Sequence, residues 1–413
     1  MSVIEPFKAL RPKREYAKDV ASCAYDVVNY EEARSIAQKN SKSFLHVVKS
    51  EIDLPNITDS YDPIVYNTAR DRLASMINQG IFMQDQTPKL YIYRQQMGSH
   101  VQDGVVALVD TREYEAGTIR RHELTRADKE MDRTRHIDTV GAQTGPVFLT
   151  YKSRTSIDVS VKKVVEGEPE YHFTADDGNV HTVWVIDDEN LIGAITREFA
   201  AVDALYIADG HHRAASAATV AKLRRERNAG HRGNESYTRM MAVIFPHDQL
   251  QIFPYHRIVR DLGGMSVERF MAAVEKSFYL SSPFKEKAPQ NSREFGMYIK
   301  GCWYKLSIRD LLPMDMGIVE SLDVSLLENT LLTPVLGIAD MRHDPRIDFV
   351  GGIRGMRELE QRVDSGEYAL AISLYPTDMN QLMAVSDSGC IMPPKSTWFE
   401  PKLRSGLFVH RLN

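Results

Sequence analysis

The stretch "LYIADGHHRAASAA", residues 205–218, decides how this chain reads. Its first residues, Leu205 to Ala208, form a short apolar run with the look of a buried strand, and the alanines from Ala214 onward favour a helix. Between them stand Asp209, Gly210, His211, His212 and Arg213. A strand that turns directly into a helix leaves the first amide N–H groups without intrahelical partners. Those groups and the helix dipole favour an anion. Gly210 permits a tight turn or a close ligand approach, and Arg213 can fork two hydrogen bonds onto a phosphate or carboxylate. A histidine at a helix N-terminus gives up its proton readily. Asp209 is a candidate ligand for Mg2+, directly or through water. Singly, each residue has a structural explanation: Asp209 as a helix cap, Arg213 on a nearby carbonyl or carboxylate. His211 and His212 would point about 100° apart on a helix, a poor zinc pair. All five in a row at one turn suit a phosphate-bearing ligand.

Working outward, a helix is expected from Arg213 to about Gly230, and strands at 147–151 ("VFLTY"), 181–186 ("HTVWVI") and 239–246 ("RMMAVIFP"). "KLYIYRQQMGSHVQDGVVALVD" (89–110) reads as two strands joined at a glycine, and 62–79 as an amphipathic helix. "NYEEARSIAQKN" (29–40) reads as a helix with Asn29 and Glu32 in a capping box. "SFLHVV" (43–48) reads as a buried strand, 317–332 as a helix and 368–376 as a strand. Strands alternate with helices, which predicts α/β or mixed α+β layers. The polar, proline-containing segment 284–294 ("FKEKAPQNSRE") is the expected linker. The expected domains are therefore 1–150, 151–283 and 295–413.

A second polar cluster lies at 119–146, "IRRHELTRADKEMDRTRHIDTVGAQTGP". Thr125 with Asp128 three later predicts a helix start, with His122 and Glu123 in the loop that feeds it. The helix is polar nearly all round, which fits a solvated surface or a wet site. Arg126, Lys129 and Arg133 recur on one side. Glu123 is the candidate general base for a hydroxyl nucleophile, with Glu51 in reserve. His256 and Arg257 in "FPYHRIV" read as a structural pair, and Lys395 with Ser396 and Thr397 as a turn; both Lys395 and His256 are left open as further site residues.

The composition sets bounds. Hydrophobic residues make up 43% and charged residues 26% of 413, an ordinary globular balance. A net charge of −5 weighs against holding nucleic acid by charge alone. Cys23, Cys302 and Cys390 match no zinc or C-x-x-C spacing, which fits a reducing compartment. No apolar run suggests a signal peptide or a membrane span, so a cytoplasmic location is expected. No Walker A and no Rossmann glycine signature occurs.

Several motifs occur together in order: "PFKALRP" (6–12), "YDVVNYEEA" (25–33), "SFLHVVKSEIDLP" (43–55), "HELTRADKEMDR" (122–133), "YIADGHHRAASA" (206–217), "YHRIV" (255–259) and "PPKSTWFEPKLRSGL" (393–407). Over nearly its whole length the chain resembles a widespread prokaryotic family of unknown function that bears the D-G-H-H-R motif. One departure is Ala24, where the family usually has proline before the tyrosine. The D-G-H-H-R segment is also similar to one in the ParB/sulfiredoxin-like superfamily, which includes kinases of free L-serine. That resemblance covers only about 204–218. It implies a ParB/sulfiredoxin-like nucleotide-binding core with additional α/β domains, and a kinase making O-phospho-L-serine with ATP or ADP and Mg2+. In that reading Asp209, Gly210, His211, His212 and Arg213 hold phosphates, Glu123 is the base, and His122, Arg126 and Lys129 bind the substrate. The alternative is a ParB-like regulator that binds nucleotide without phosphotransfer. The oligomeric state stays open.

Overall fold

The computed structural model describes residues 3–54, 57, 59–309 and 315–412. The chain divides into two compact units, one of 1–250 with 401–413 and one of 251–400. Neither boundary falls where the sequence suggests. The expected domains 1–150 and 151–283 share one sheet, because the strands of 90–110 pair with Val180–Ile186 and with Arg239–Pro246. Interleaved strands cannot be cut apart without breaking backbone ladders. The segment 284–294 is not a linker. It joins the strands Phe278–Ser281 and Glu294–Ile299 of the second unit, and Phe284 is buried there.

The first unit is built on a mixed nine-stranded sheet, so the α/β expectation holds. Leu205–Asp209 lies between Ile119–Arg120, parallel to it, and Val147–Tyr151, antiparallel. Val147–Tyr151 runs parallel to Arg239–Pro246; the order then continues through His100–Asp110, Leu90–Met97, Val180–Ile186 and Tyr171–Thr174, all antiparallel. Val147–Tyr151 and residues 240–246 are buried throughout and almost wholly apolar, as strands covered on both faces must be. The sheet's side chains, among them Val105, Leu149, Ile207 and Ile244, form the main core with Ile195 and Phe199 of the helix Glu189–Ala200.

A second core of this unit gathers the N-terminal helices. Tyr30–Gln38 starts with the expected capping box: Asn29 accepts from the Glu32 amide, and the Glu32 side chain accepts from the Asn29 amide. Pro63–Asn78 follows a capping Asp62, with proline at its first turn. The stretch 43–48 is not a strand. Leu45–Val48 forms one helical turn that packs Phe44, Leu45, Val47 and Val48 with Leu73 and Met76. A short apolar run carries no period that separates strand from buried helix.

Two helix ends also differ. The helix Ala127–Val140 begins after Arg126 with no side-chain cap, and Thr125 Oγ1 instead donates to Glu130 Oε2. The helix after the D-G-H-H-R turn ends at Arg227, with Asn228 extended, so Gly230 does not cap it.

The second unit has a six-stranded antiparallel sheet in the order Phe278–Ser281, Cys302–Ile308, Glu294–Ile299, Leu370–Leu374, Tyr255–Val259, Ile347–Gly351. In 317–332 the helix starts at Asp323 and widens to π geometry over Glu328–Leu332. Among the described residues no helix is long and apolar enough to cross a membrane.

Candidate functional site

The strand Leu205–Asp209 ends at Gly210, whose φ of +89° is in the left-handed region. The helix His211–Arg227 starts at once, with Gly210 in the cap position and no side chain capping the first turn. Two facts demand glycine here. The conformation is strained for any L side chain, and a Cβ would lie 2.9 Å from Arg213 Cζ. The guanidinium folds back over the turn itself.

Alanines 214, 215, 217, 218 and 221 are buried, so the helix lies close to Ala127–Val140. Ser216 Oγ donates to the Glu130 carbonyl at 3.0 Å and Thr219 Oγ1 to Glu130 Oε1 at 3.1 Å. This packing brings the loop before the polar helix onto the D-G-H-H-R turn. The Arg126 amide donates to His212 Nε2 at 3.0 Å. The two polar segments of the sequence thus form one site.

Asp209 faces two cations, Arg213 Nη2 at 3.0 Å and Lys402 Nζ at 3.4 Å. Burial alone would raise its carboxyl, but Lys402, Arg213 and His211 outweigh burial and hold it well below the usual carboxylate range. Both its oxygens are engaged by positive groups, so the expectation that Asp209 ligates Mg2+ does not suit the geometry. Arg213 also donates to the Pro146 carbonyl, and its Nε has no hydrogen-bond partner among the described residues. Burial pulls the guanidinium down, and Asp26, Asp209 and Tyr25 raise it further, so it stays charged.

His122 and His211 meet edge to face, ring centroids 4.5 Å apart. Both are buried. Burial pushes His122 down to about 4 against the pull of Asp209. Burial, then His122, pushes His211 well below the ordinary imidazole value. Both rings are therefore neutral near pH 7; for His211 the causes are burial and the neighbouring His122, not the helix N-terminus that the sequence suggested. Glu123 joins them: one ligand atom from each of His122, Glu123 and His211 lies within 4.8 Å of the others. The histidine pair of this site is thus His122 with His211.

The bases of the polar helix do not converge. Arg126 is exposed and pairs with Asp128 at 2.8 Å; Lys129 Nζ donates to Tyr61 Oη at 3.1 Å. Arg133 is the one that turns inward, paired with Asp132 at 2.8 Å and set over the Tyr25 ring at 4.1 Å. Glu51, the reserve base, pairs with Lys49 at 3.3 Å. His256 and Lys395 belong to the second unit. There His256 and Arg257 are fully buried, and Arg257 donates to the carbonyls of Tyr255 and Lys395.

Arg213 and Arg133 line a narrow cleft, with Tyr25, His136, Gln143 and Thr144 on its walls. Sequence reasoning missed Lys402, which reaches Asp209 across 193 residues, and His136, which faces the cleft from the polar helix. The only signal for Lys402 was its place in the motif 393–407.

A family model described as "Protein of unknown function (DUF1015)" matches residues 4–325. No curated protein matches the chain. Among solved structures, the chain is similar to a free serine kinase in complex with AMP, at 13% identity and a TM-score of 0.36, over 71% of this chain and 86% of that one. It is similar to a conserved hypothetical protein from Pyrococcus furiosus (13%, TM-score 0.36, 72% and 92%). It is also similar to C-terminally truncated SbnI from Staphylococcus aureus (11%, TM-score 0.38, 72% and 84%).

Proposed function

This chain belongs to the family described as protein of unknown function DUF1015, and we propose that it is a small-molecule kinase that phosphorylates the hydroxyl of free L-serine, using ATP or ADP with Mg2+. The observation that carries the reading is the turn at 209–213. There an uncapped helix N-terminus and a charged Arg213 stand beside two neutral imidazoles and a carboxylate, Glu123.

The roles follow from the chemistry of each group. The amides of the first turn and the Arg213 charge seat phosphate oxygens, which need donors and positive potential. Gly210, with no side chain, lets the Arg213 guanidinium lie against the turn. His211 and His212, at the same turn, offer imidazole N–H donors without adding fixed charge. Mg2+ is carried on the phosphate oxygens, the hard ligands it prefers, since Asp209 is committed to Arg213 and Lys402. Asp209 instead fixes those two cations in place.

The nucleotide supplies the phosphoryl group. The serine hydroxyl oxygen bonds to the terminal phosphorus, the bridging P–O bond breaks, ATP leaves as ADP or ADP as AMP, and Glu123 takes the hydroxyl proton. Catalysis of this kind is positioning plus electrostatic stabilisation. His122 sits beside Glu123 at the acceptor side. Arg126 and Lys129 lie on the loop and helix that border it; binding a substrate carboxylate requires their side chains to leave Asp128 and Tyr61.

The test is incubation of the purified chain with L-serine, Mg2+ and ATP or ADP, read by 31P NMR. O-phosphoserine is the expected product. Tight nucleotide binding with no transfer to serine or any other hydroxyl compound overturns the kinase reading in favour of a nucleotide-binding regulator.

A further inference from the structure

We propose that His122, Glu123 and His211 form a binding site for one divalent transition-metal ion, of which Zn2+ is the best fit. The three residues come from two segments, the loop before the helix Ala127–Val140 and the first residue of the helix His211–Arg227. Their ligand atoms already lie within 4.8 Å of one another. Around a tetrahedral ion with bonds of about 2.0–2.1 Å, ligand atoms stand about 3.3 Å apart. Binding of the ion would have to close that difference by rotation of the three side chains.

The donor set selects the ion. Two imidazole nitrogens and one carboxylate oxygen suit Zn2+ and its first-row neighbours; Mg2+ and Ca2+ prefer oxygen throughout. This separates the site from any Mg2+ that travels with a nucleotide.

Two further observations support it. His211 is 5% exposed, and its Nε2 has no hydrogen-bond partner among the described residues, an unusual state for a buried polar atom. A metal ion satisfies that lone pair. His122 donates one ring N–H to the Ile207 carbonyl, which fixes its tautomer and leaves the other nitrogen as a lone-pair donor, the arrangement usual for metal-bound histidine. Three protein ligands leave a fourth position for water or substrate, the pattern of reactive rather than purely structural zinc.

The site goes beyond the kinase reading: an ion held by Glu123 occupies the carboxylate that the kinase reading uses as base, so bound Zn2+ would switch phosphoryl transfer off. The full chain, stripped with a chelator and dialysed, is titrated with Zn2+ and separately with Mg2+ by calorimetry. One equivalent of Zn2+ is expected at this site, with no matching Mg2+ event. Co2+ in place of Zn2+ gives visible ligand-field bands without the thiolate charge-transfer absorption that Cys23, Cys302 or Cys390 would produce. Glu123→Gln and His211→Gln are each expected to weaken the Zn2+ event at least tenfold, while His212→Gln leaves it within twofold. Circular dichroism confirms that each variant is folded, and the partly exposed Glu123 serves if His211→Gln is not. No Zn2+ equivalent in the stripped chain, or an event unchanged in Glu123→Gln, overturns the site. Phosphoserine formation is assayed on the metal-stripped chain and tests the kinase reading alone; the Zn2+ titration, run without nucleotide or serine, tests this site alone.

Discussion

Arg213 and Asp209 close a ring across Gly210: the guanidinium Nη2 stands 3.0 Å from the carboxylate while its carbon lies against the glycine. The strand end, the turn and the first helical turn are thereby held as one piece. In the proposed kinase, a phosphate seat made of backbone amides works only if the backbone does not move, and this ring would restrain it.

Gly210→Ala is therefore expected to fail twice. The side chain would be strained at φ +89° and would meet Arg213 at 2.9 Å. The expected loss of stability is about 1–3 kcal/mol, read by urea denaturation. Nucleotide binding should be lost even where the variant remains folded.

Arg213→Met removes the shorter of the two cation contacts of Asp209 and the donor to Pro146. An under-compensated carboxylate at this depth should cost about 1–3 kcal/mol. Lys402→Met, which removes only the 3.4 Å contact, should cost less. A larger loss at Lys402 would show that the lysine, not the arginine, holds the turn.

Glu123→Gln should lower phosphoryl transfer by about 10²–10⁴-fold, the usual contribution of a general base. Glu123 is only partly buried, so its melting temperature should hardly change. Activity retained within a few-fold would move the role of base elsewhere, with Glu51 next to be tested.

Two histidines give opposite pH signatures. The Asp53 hydrogen bond raises His46 against the effect of burial. Its folded-state value is above the unfolded one, so its stabilisation is complete below pH 6.5 and is lost as pH rises through the folded value. Burial, then Arg133, lowers His136 to about 4. Its contribution is complete above pH 6.5 and is lost as pH falls toward 4, worth about 3 kcal/mol. Stability against pH, measured for His46→Asn and His136→Gln beside the parent, should show each slope removed on its own side. Ring NMR titration should find His136 neutral at pH 6.

Asn29→Ala should cost about 1 kcal/mol by uncapping the helix Tyr30–Gln38. Glu32→Ala should cost no more, since it removes the weaker half of the same box.

The sequence by itself determined most local elements, the strand-to-helix turn at 209–213 among them. Alternation, capping residues and a glycine at a strand–helix junction act through φ/ψ preferences and neighbours a few residues away, and such signals survive without the rest of the chain. The run 43–48 shows where this stops, because six apolar residues are equally at home in a strand or a buried helical turn. Tertiary structure alone decided the rest. His122 meets His211 rather than His212 pairing with it; Arg126 reaches His212 across 86 residues and Lys402 reaches Asp209 across 193. The division into two units was equally invisible, because strands from 4 to 246 share one sheet and the tail from 401 returns to that unit. Such pairings depend on which surfaces bury together once the chain has folded, a property of the whole core and not of any stretch of residues within it.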